Sequence, residues 1–165
     1  MKNIFCSRVT TQSGFSLVEV LTVIVVLGIL VSISIPSMLE WRKSYYYRQA
    51  SSGISGCLRE ARGRAISSNF QHRVELDVSA KRYRLTKGNR AYNTPDDASN
   101  WTIVQDWVIL PSDVDIVVTP ANLKVAFNAN GTSNVGTIDI KDSAGNIKIQ
   151  ITVVATGRIK STKIS

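Results

Sequence analysis

The residues best suited to chemistry in this chain are few and scattered. His72 is the one histidine, and Cys6 and Cys57 are the two cysteines. A metal site or a nucleophile–base pair needs several such groups, and the sequence offers no ligand spacing, glycine-rich phosphate loop or Ser–His–Asp set. We therefore expect no catalytic residue, no metal and no cofactor, which argues against a membrane-anchored hydrolase. His72 should be structural, and Cys57 is either a small buried residue or a thiol for an intermolecular bond.

Glu19 is a more informative candidate, because it is the one acid within a long apolar run. The run covers residues 15–35, and Pro36 closes it. As a helix it would be about 31 Å long, close to the thickness of the hydrocarbon core of a bilayer. An acid in such a segment is functional by default. In a bundle of these helices the amino group of a neighbour's Phe15 could pair with Glu19 and set the step between subunits; alternatively, Glu19 reaches the solvated interface.

A polar leader, residues 1–14, precedes the apolar run. An ordinary secretory signal is cut after its apolar segment, and that segment is then lost. Here the small residue that suits a cut, Gly14, comes before the run. The mature chain would therefore begin at Phe15 and keep residues 15–36 as its membrane segment. The remainder, 37–165, is long enough for one domain with its own core.

Helical periodicity continues beyond Pro36. Between residues 47 and 65, apolar side chains recur at steps of three and four, as on the buried stripe of an amphipathic helix. Pro36 should kink this helix without ending it, so one helix of about 50 residues would end near residue 68. Three glycines on it predict close packing against a sheet: Gly53, Gly56 and Gly63.

From residue 72 the apolar period changes to two, which is typical of strands. The first two strands form a hairpin that turns at Ala80 and Lys81. Further strands are predicted at 101–110, 114–118, 124–127, 137–140 and 147–154. The strand at 101–110 is apolar on both faces, so we expect it to be buried on two sides or to join an aromatic cluster with Trp107. The predicted fold class is α+β, with one long N-terminal helix, part membrane and part amphipathic, packed on an antiparallel sheet or sandwich.

Charge is unevenly distributed along the chain. Lys and Arg total 20 against 12 Asp and Glu, a formal net charge of +8. Basic residues concentrate at 40–73 and after 142, whereas acidic residues concentrate at 94–118. This pattern suits polyanionic partners, an anionic membrane surface, or packing against copies and relatives of the chain.

The N-terminal features resemble a known bacterial signal. The leader ending in Gly14, with Phe15, Glu19, Gly28 and Pro36 after it, is similar to the class III leader of type IV pilins and type II secretion pseudopilins. The resemblance implies cleavage between Gly14 and Phe15 by prepilin peptidase, N-methylation of Phe15, and assembly with other pilins or pseudopilins. It also implies an inner-membrane, single-pass anchor with the C-terminal domain in the periplasm.

The rest of the chain resembles the minor pilins and pseudopilins of the GspH/FimT group. The segments that carry this resemblance are 127–132, 138–140 and 156–159. It implies a pilin-like fold and a structural subunit that helps to initiate or cap a type IV pilus or a type II secretion pseudopilus.

The basic stretch at 156–163 suggests a second function. FimT-type members linked to DNA uptake in natural transformation have a Gly-Arg-x-Arg pattern, which Gly157 and Arg158 resemble, although Lys160 stands at the fourth position. Lysine keeps the charge but lacks the two-pronged donor geometry of arginine. The resemblance implies that Arg158, Lys160 and Lys163 bind DNA. The alternative is a solvated basic tail that protects a strand edge.

Overall fold

The computed structural model describes residues 14–120 and 124–164, without the side chains of helical residues 33–37, 39 and 40. The leader prediction, up to residue 13, and the side chain of Pro36 lie outside the described residues. The chain divides into two compact units, Met1–Glu40 and Trp41–Ser165. Each unit is described in turn.

One α-helix, α1, spans Leu17–Ser68 and contributes to both units. In the first unit its described side chains are exposed. The hydroxyls of Thr22 and Ser32 donate hydrogen bonds of 2.8 and 2.7 Å to carbonyl oxygens one turn earlier, so the helix satisfies them internally. Within the part of α1 whose side chains are described, no stretch is long and apolar enough to cross a membrane. The predicted segment 15–36 extends outside that part.

In the second unit, α1 packs its apolar stripe into the core. The stripe consists of Tyr47, Ala50, Ile54, Cys57, Leu58, Ala61 and Ala65, all of them buried. The helix ends at Ser68, and Asn69 follows in the left-handed conformation at φ 58°. Asparagine tolerates this conformation better than most residues do, so it suits the position that terminates a helix.

Two four-stranded antiparallel sheets follow the helix in the described part of the chain. The strands are β1 His72–Asp77, β2 Arg82–Gly88, β3 Trp101–Ile109, β4 Asp115–Thr119, β5 Lys124–Phe127, β6 Gly136–Lys141, β7 Ile147–Val153 and β8 Ile159–Lys163. One sheet has the order β3-β2-β1-β5 and the other β4-β6-β7-β8. Their inner faces join the stripe of α1 in one hydrophobic core. The predicted fold class, a long N-terminal helix on antiparallel sheets, is confirmed.

The prediction that the strand at 101–110 is buried on both faces is wrong. β3 is one of the two edge strands of its sheet, and none of its residues is buried. Its apolar side chains have another use, because the ring of Trp101 covers the guanidinium of Arg73 at 3.8 Å. Trp107 lies similarly close to Arg82 and Arg84, at 4.3 and 4.4 Å. The tryptophans therefore cover arginines in place of forming an aromatic cluster.

Two further expectations need correction. The stretch after Gly157 is not a tail, because β8 pairs with β7 along its whole length.

Of the helix glycines, only Gly53 is closely packed, since an added Cβ would lie 2.6 Å from Tyr83 Oη. A Cβ at Gly56 or Gly63 would meet nothing within 4 Å, so those two glycines leave open space beside α1.

Candidate functional site

The predicted processing and assembly residues lie at the start of α1. Gly14, Phe15 and Ser16 precede the helix and are exposed, so the Gly14–Phe15 peptide bond is accessible from solvent. Glu19 lies in the first helical turn, where its backbone N–H donates a 3.0 Å hydrogen bond to the carbonyl oxygen of Ser16. Helix N-termini carry partial positive charge, so a carboxylate in this turn is favourably placed.

The first unit exposes an unusual amount of apolar surface. Phe15 and Leu17 are each 81% exposed, and every large apolar residue from Val20 to Val31 is at least 49% exposed. A helix that is apolar on all sides is normally buried in a membrane or among other helices. This surface therefore requires a cover from lipid or from neighbouring helices.

The three basic residues predicted to bind DNA do not share one face. Arg158, Lys160 and Lys163 are all exposed, but successive residues of a strand point to opposite sides of the sheet. Ser161 of β8 faces α1, where its Oγ lies 3.0 Å from Ser51 Oγ. Alternation places Lys163 on that side and Lys160 on the other side.

Sequence reasoning missed the arginines that α1 adds beside β8. A groove of about 420 Å³ lies between Arg59 and Arg62 on the helix and Arg158 before the strand. A second groove, of about 310 Å³, continues along the helix between Arg48 and Arg59 and ends against β8. We call these two grooves together the basic groove. The excess of basic residues at 40–73 was visible in the sequence, but their position beside β8 depends on tertiary structure.

The basic groove also contains an unsatisfied hydroxyl. Ser55 is 3% exposed, and its Oγ has no hydrogen-bond partner among the described residues. Ser51, Ser52 and Ser161 line the groove beside it. Arginines with hydroxyl donors can bind the oxygens of a phosphate group.

A glycine–arginine junction closes one end of the groove. Arg62 Nε donates a 3.2 Å hydrogen bond to the carbonyl oxygen of Gly131, and its Nη2 donates a 3.3 Å hydrogen bond to that of Thr156. Gly157 has a φ of +73°, and a Cβ there would overlap the carbonyl oxygen of Gly131. The junction thus brings together two segments that carried the family resemblance, 127–132 and 156–159.

Among the residues that the structure describes, the largest charged cluster outside the groove is held together by internal ion pairs. Arg73 forms ion pairs with Glu75 and Asp96, and Arg84 pairs with Glu75 at 2.6 Å. Lys124 also pairs with Asp96, at 2.7 Å. The Arg73 and Glu75 side chains are under one-tenth exposed. Because these cations already have acidic partners, the cluster stabilises its sheet and is a poor site for an external anion.

His72 and Cys57 both lie in structural environments. His72 is 3% exposed, its Nδ1 is 2.9 Å from the carbonyl oxygen of Phe70, and burial lowers its pKa. Cys57 is buried on the stripe of α1, and burial raises the pKa of its thiol to about 12. Over residues 14–120 and 124–164 there is no group of three His, Cys, Asp or Glu that could hold a metal ion.

Comparison of structures relates the fold to proteins of secretion systems and pili. The minor pseudopilin EpsH from the type 2 secretion system of Vibrio cholerae is 12% identical, with a TM-score of 0.59, and the match covers 72% of this chain and 96% of that one. The type IV minor pilin FimU of Pseudomonas aeruginosa is 16% identical, with a TM-score of 0.54 and coverages of 70% and 91%. Escherichia coli GspH is 14% identical, with a TM-score of 0.55 and coverages of 72% and 89%. At these identities the similarity establishes the pilin-like fold alone.

Comparison of sequences is more specific. No curated protein sequence matches the chain. The prokaryotic N-terminal methylation motif matches residues 10–35, which include Gly14, Phe15 and Glu19. The family described as type II transport protein GspH matches residues 50–157, more than half of the chain. On this match, and with the pilin-like fold, the chain belongs to the GspH family.

Proposed function

We propose that this chain is a minor pilin or pseudopilin, a non-enzymatic subunit that helps to initiate or cap a type IV pilus or a type II secretion pseudopilus. The observation that carries the proposal is the exposed apolar surface of residues 15–31, which directly follows an accessible Gly14–Phe15 bond within a methylation motif. Prepilin peptidase would cut this bond and methylate Phe15. The mature helix would then be stored in the inner membrane, with the second unit in the periplasm, until it enters a filament.

In this proposal Glu19 sets the register of assembly. Cleavage creates an ammonium group at Phe15, and Glu19, in the first turn of α1, is four residues further along the chain. In the low dielectric of a helix bundle, Glu19 would pair with the ammonium group of a neighbouring subunit. Removing one partner of a buried ion pair leaves an uncompensated charge and costs about 3–5 kcal/mol. Pro36, at the end of the apolar segment, would let the helix bend so that it packs among its neighbours.

Filament incorporation of a Glu19→Ala variant tests the register. The variant should insert into the membrane as the parent does but should enter filaments much less. Thr22→Ala is the matched control, since it also truncates a side chain in the first turns of α1, yet its hydroxyl bonds only to its own helix. Unchanged incorporation of Glu19→Ala, or equal losses in both variants, would contradict the role of Glu19.

Mass spectrometry of the purified native chain tests the processing step. The expected N-terminus is methylated Phe15. A chain that begins at Met1, or one trimmed beyond residue 35, would rule out the proposed route into a filament.

DNA binding during natural transformation is the second candidate function, and the basic groove favours it. Arg59 and Arg158 lie at the same groove, and the unsatisfied Ser55 Oγ offers a further donor. Three phosphate contacts would give a slope of about −2.7 in log affinity against log salt on duplex DNA. Single copies would therefore bind weakly and without sequence preference.

Titration of duplex DNA into the full chain in detergent tests this candidate. Binding should weaken with salt, and each of Arg158→Gln, Arg59→Gln and Lys163→Gln should reduce both the affinity and the salt slope, because these side chains lie on the side of β8 that faces α1. Lys160→Gln tests whether the opposite face of β8 contributes. Lys87→Gln is the matched control, because Lys87 lies on the ring of Phe70, away from the groove. Binding that is indifferent to the groove variants would remove DNA from consideration.

A further inference from the structure

Two large aromatic residues at the start of the second unit remain outside its core. Trp41 is 67% exposed and Tyr45 is 55% exposed. Their rings are stacked with centroids 6.2 Å apart and an interplanar angle of 26°. Residues four apart lie on one face of a helix, so the pair forms a single aromatic patch. Tyr47, two positions later, is buried. The core therefore begins after Tyr45, and the patch lies outside it.

Basic residues lie between the two rings in the sequence. Arg42 and Lys43 are exposed, and Arg42 Nη2 donates a 3.2 Å hydrogen bond to Tyr46 Oη. We call Trp41, Arg42, Lys43 and Tyr45 the aromatic collar. It combines amphipathic rings with cations at one end of the domain.

The other charged groups at this end are mixed in sign. The hydrogen bond to Tyr46 is the main cause that raises the pKa of Arg42, and the charge of Asp113 adds a smaller effect in the same direction. Asp142 and Lys148 act on nearby Tyr47, whose pKa is raised mainly by burial. The backbone N–H of Asn146 donates to Asp142, and Lys148 pairs with Asp142 at 3.3 Å. These contacts leave Arg42 and Lys43 as the cations of the collar itself.

We infer that the aromatic collar binds the phospholipid headgroup surface, with a preference for anionic lipid, while the chain is stored in the membrane. This inference rests on the proposed membrane insertion of residues 15–35, because only five residues separate that run from Trp41. Tryptophan and tyrosine favour the membrane–water interface, where the ring body is apolar and the N–H or O–H stays hydrated. Arginine and lysine next to a membrane segment are attracted to anionic headgroups. The collar would thus seat the folded domain on the bilayer.

Fluorescence quenching in lipid nanodiscs tests the inference on the full chain. The discs contain phosphatidylglycerol brominated either near the carbonyl end or near the methyl end of its acyl chains. The emission of Trp41 is the difference between the parent and a Trp41→Phe variant, which leaves Trp101 and Trp107 in place. Bromine near the carbonyl end should remove most of this emission, and bromine near the methyl end should remove much less. Trp41 emission that neither lipid quenches would overturn the inference.

A second tryptophan separates this inference from the proposed function. Leu27→Trp, made in the Trp41→Phe chain, reports on the middle of the apolar run. Strong quenching at residue 27 with none at Trp41 would contradict lipid binding by the aromatic collar and would support membrane insertion of residues 15–35. Absence of quenching at both positions would also contradict membrane insertion of residues 15–35.

A charge comparison tests the preference for anionic lipid. Arg42→Gln with Lys43→Gln should lower the quenching of Trp41 in phosphatidylglycerol discs towards its level in phosphatidylcholine discs. Lys87→Gln with Arg90→Gln, beyond the C-terminal end of α1, is the matched control and should change nothing. Equal quenching of Trp41 in phosphatidylglycerol and phosphatidylcholine discs, for both the parent and the Arg42→Gln, Lys43→Gln variant, would contradict the anionic preference. A blue shift of Trp41 emission that depends only on protein density in the disc would assign the collar to a protein neighbour and overturn the inference.

Discussion

Arg62 Nε on α1 donates a 3.2 Å hydrogen bond to the carbonyl oxygen of Gly131, 69 residues away in the sequence. The same guanidinium donates to the carbonyl oxygen of Thr156 at 3.3 Å. One side chain therefore fixes two turns, and the second of them sets the direction in which the chain enters β8. The basic groove depends on this junction.

Replacing Arg62 should destabilise the domain. Arg62→Ala leaves two carbonyl oxygens without their charged donor, so we expect the free energy of unfolding to fall by about 1–3 kcal/mol. Arg59→Ala is the control, because Arg59 is exposed on the same helix and should change stability by less than about 0.5 kcal/mol. Chemical denaturation of both variants measures the difference. Equal effects would show that the junction does not depend on Arg62.

Gly157→Ala should be more damaging than Gly145→Ala. Both glycines have positive φ values, +73° and +87°, so either substitution imposes backbone strain of about 1–2 kcal/mol. A Cβ at Gly145 meets nothing within 4 Å, whereas one at Gly157 overlaps the carbonyl oxygen of Gly131. The overlap should add about 1–3 kcal/mol for Gly157→Ala alone. Thermal unfolding compares the variants, and equal losses would mean that the Gly131–Gly157 contact is not tight.

The helix glycines give a second matched pair, with opposite expected signs. Gly56→Ala should stabilise the domain by about 0.5–1 kcal/mol, because alanine favours the helix and its Cβ enters open space. Gly53→Ala places a Cβ 2.6 Å from Tyr83 Oη, and Tyr83 is only 6% exposed, so stability should fall. The measurement is again the unfolding midpoint. Stabilisation by both substitutions would show that Tyr83 can move away from α1.

Cys57 should be chemically inert in the folded domain. Its pKa of about 12 keeps the thiol neutral at physiological pH, and its burial blocks access. In a Cys6→Ser chain, iodoacetamide should label Cys57 only after denaturation. A Ser52→Cys control, on the exposed side of α1, should react in the native state. Rapid native labelling of Cys57 would instead support a role in an intermolecular bond.

The same thiol makes stability depend on alkaline pH. The folded state binds the Cys57 proton more tightly than the unfolded state, whose thiol ionises near pH 9.0. This contribution is therefore complete below about pH 9 and is lost as the pH rises towards 12. Tyr47 and Tyr83 also have raised pKa values, mainly through burial, so the relevant quantity is the difference between the parent and Cys57→Ala. A difference that stays constant from pH 8 to pH 11 would contradict the assignment.

Local periodicity accounts for what the sequence could predict. The stripe from Tyr47 to Ala65 and the hairpin of β1 and β2 follow from contacts within or between adjacent segments, so their patterns are visible in one dimension. The order of strands in each sheet depends on distant segments. That is why β3 could be recognised as a strand but not as an edge, and why the cover of Arg73 by Trp101 was not foreseen.

The same distinction between local sequence patterns and contacts between distant segments applies to the candidate site. Gly14, Phe15 and Glu19 were identified from a contiguous motif, and Arg158 and Lys160 from a short pattern. Arg59 and Ser55 could not be assigned to the groove, because the sequence does not show which side of α1 meets β8. Nor could strand alternation separate Lys160 from Lys163 before residues 159–163 were known to form a strand.

The 3.0 Å contact between Ser51 and Ser161 spans 110 residues and carries a consequence for biogenesis. Because β8 packs beside α1, the second unit cannot reach its final arrangement until residues 159–163 have been synthesised and can pair with β7. Before then β7 presents an unpaired edge that is open to wrong partners. Premature stop codons upstream of Ile159 should therefore yield products that aggregate and are sensitive to proteases. Such products should not serve as shortened subunits.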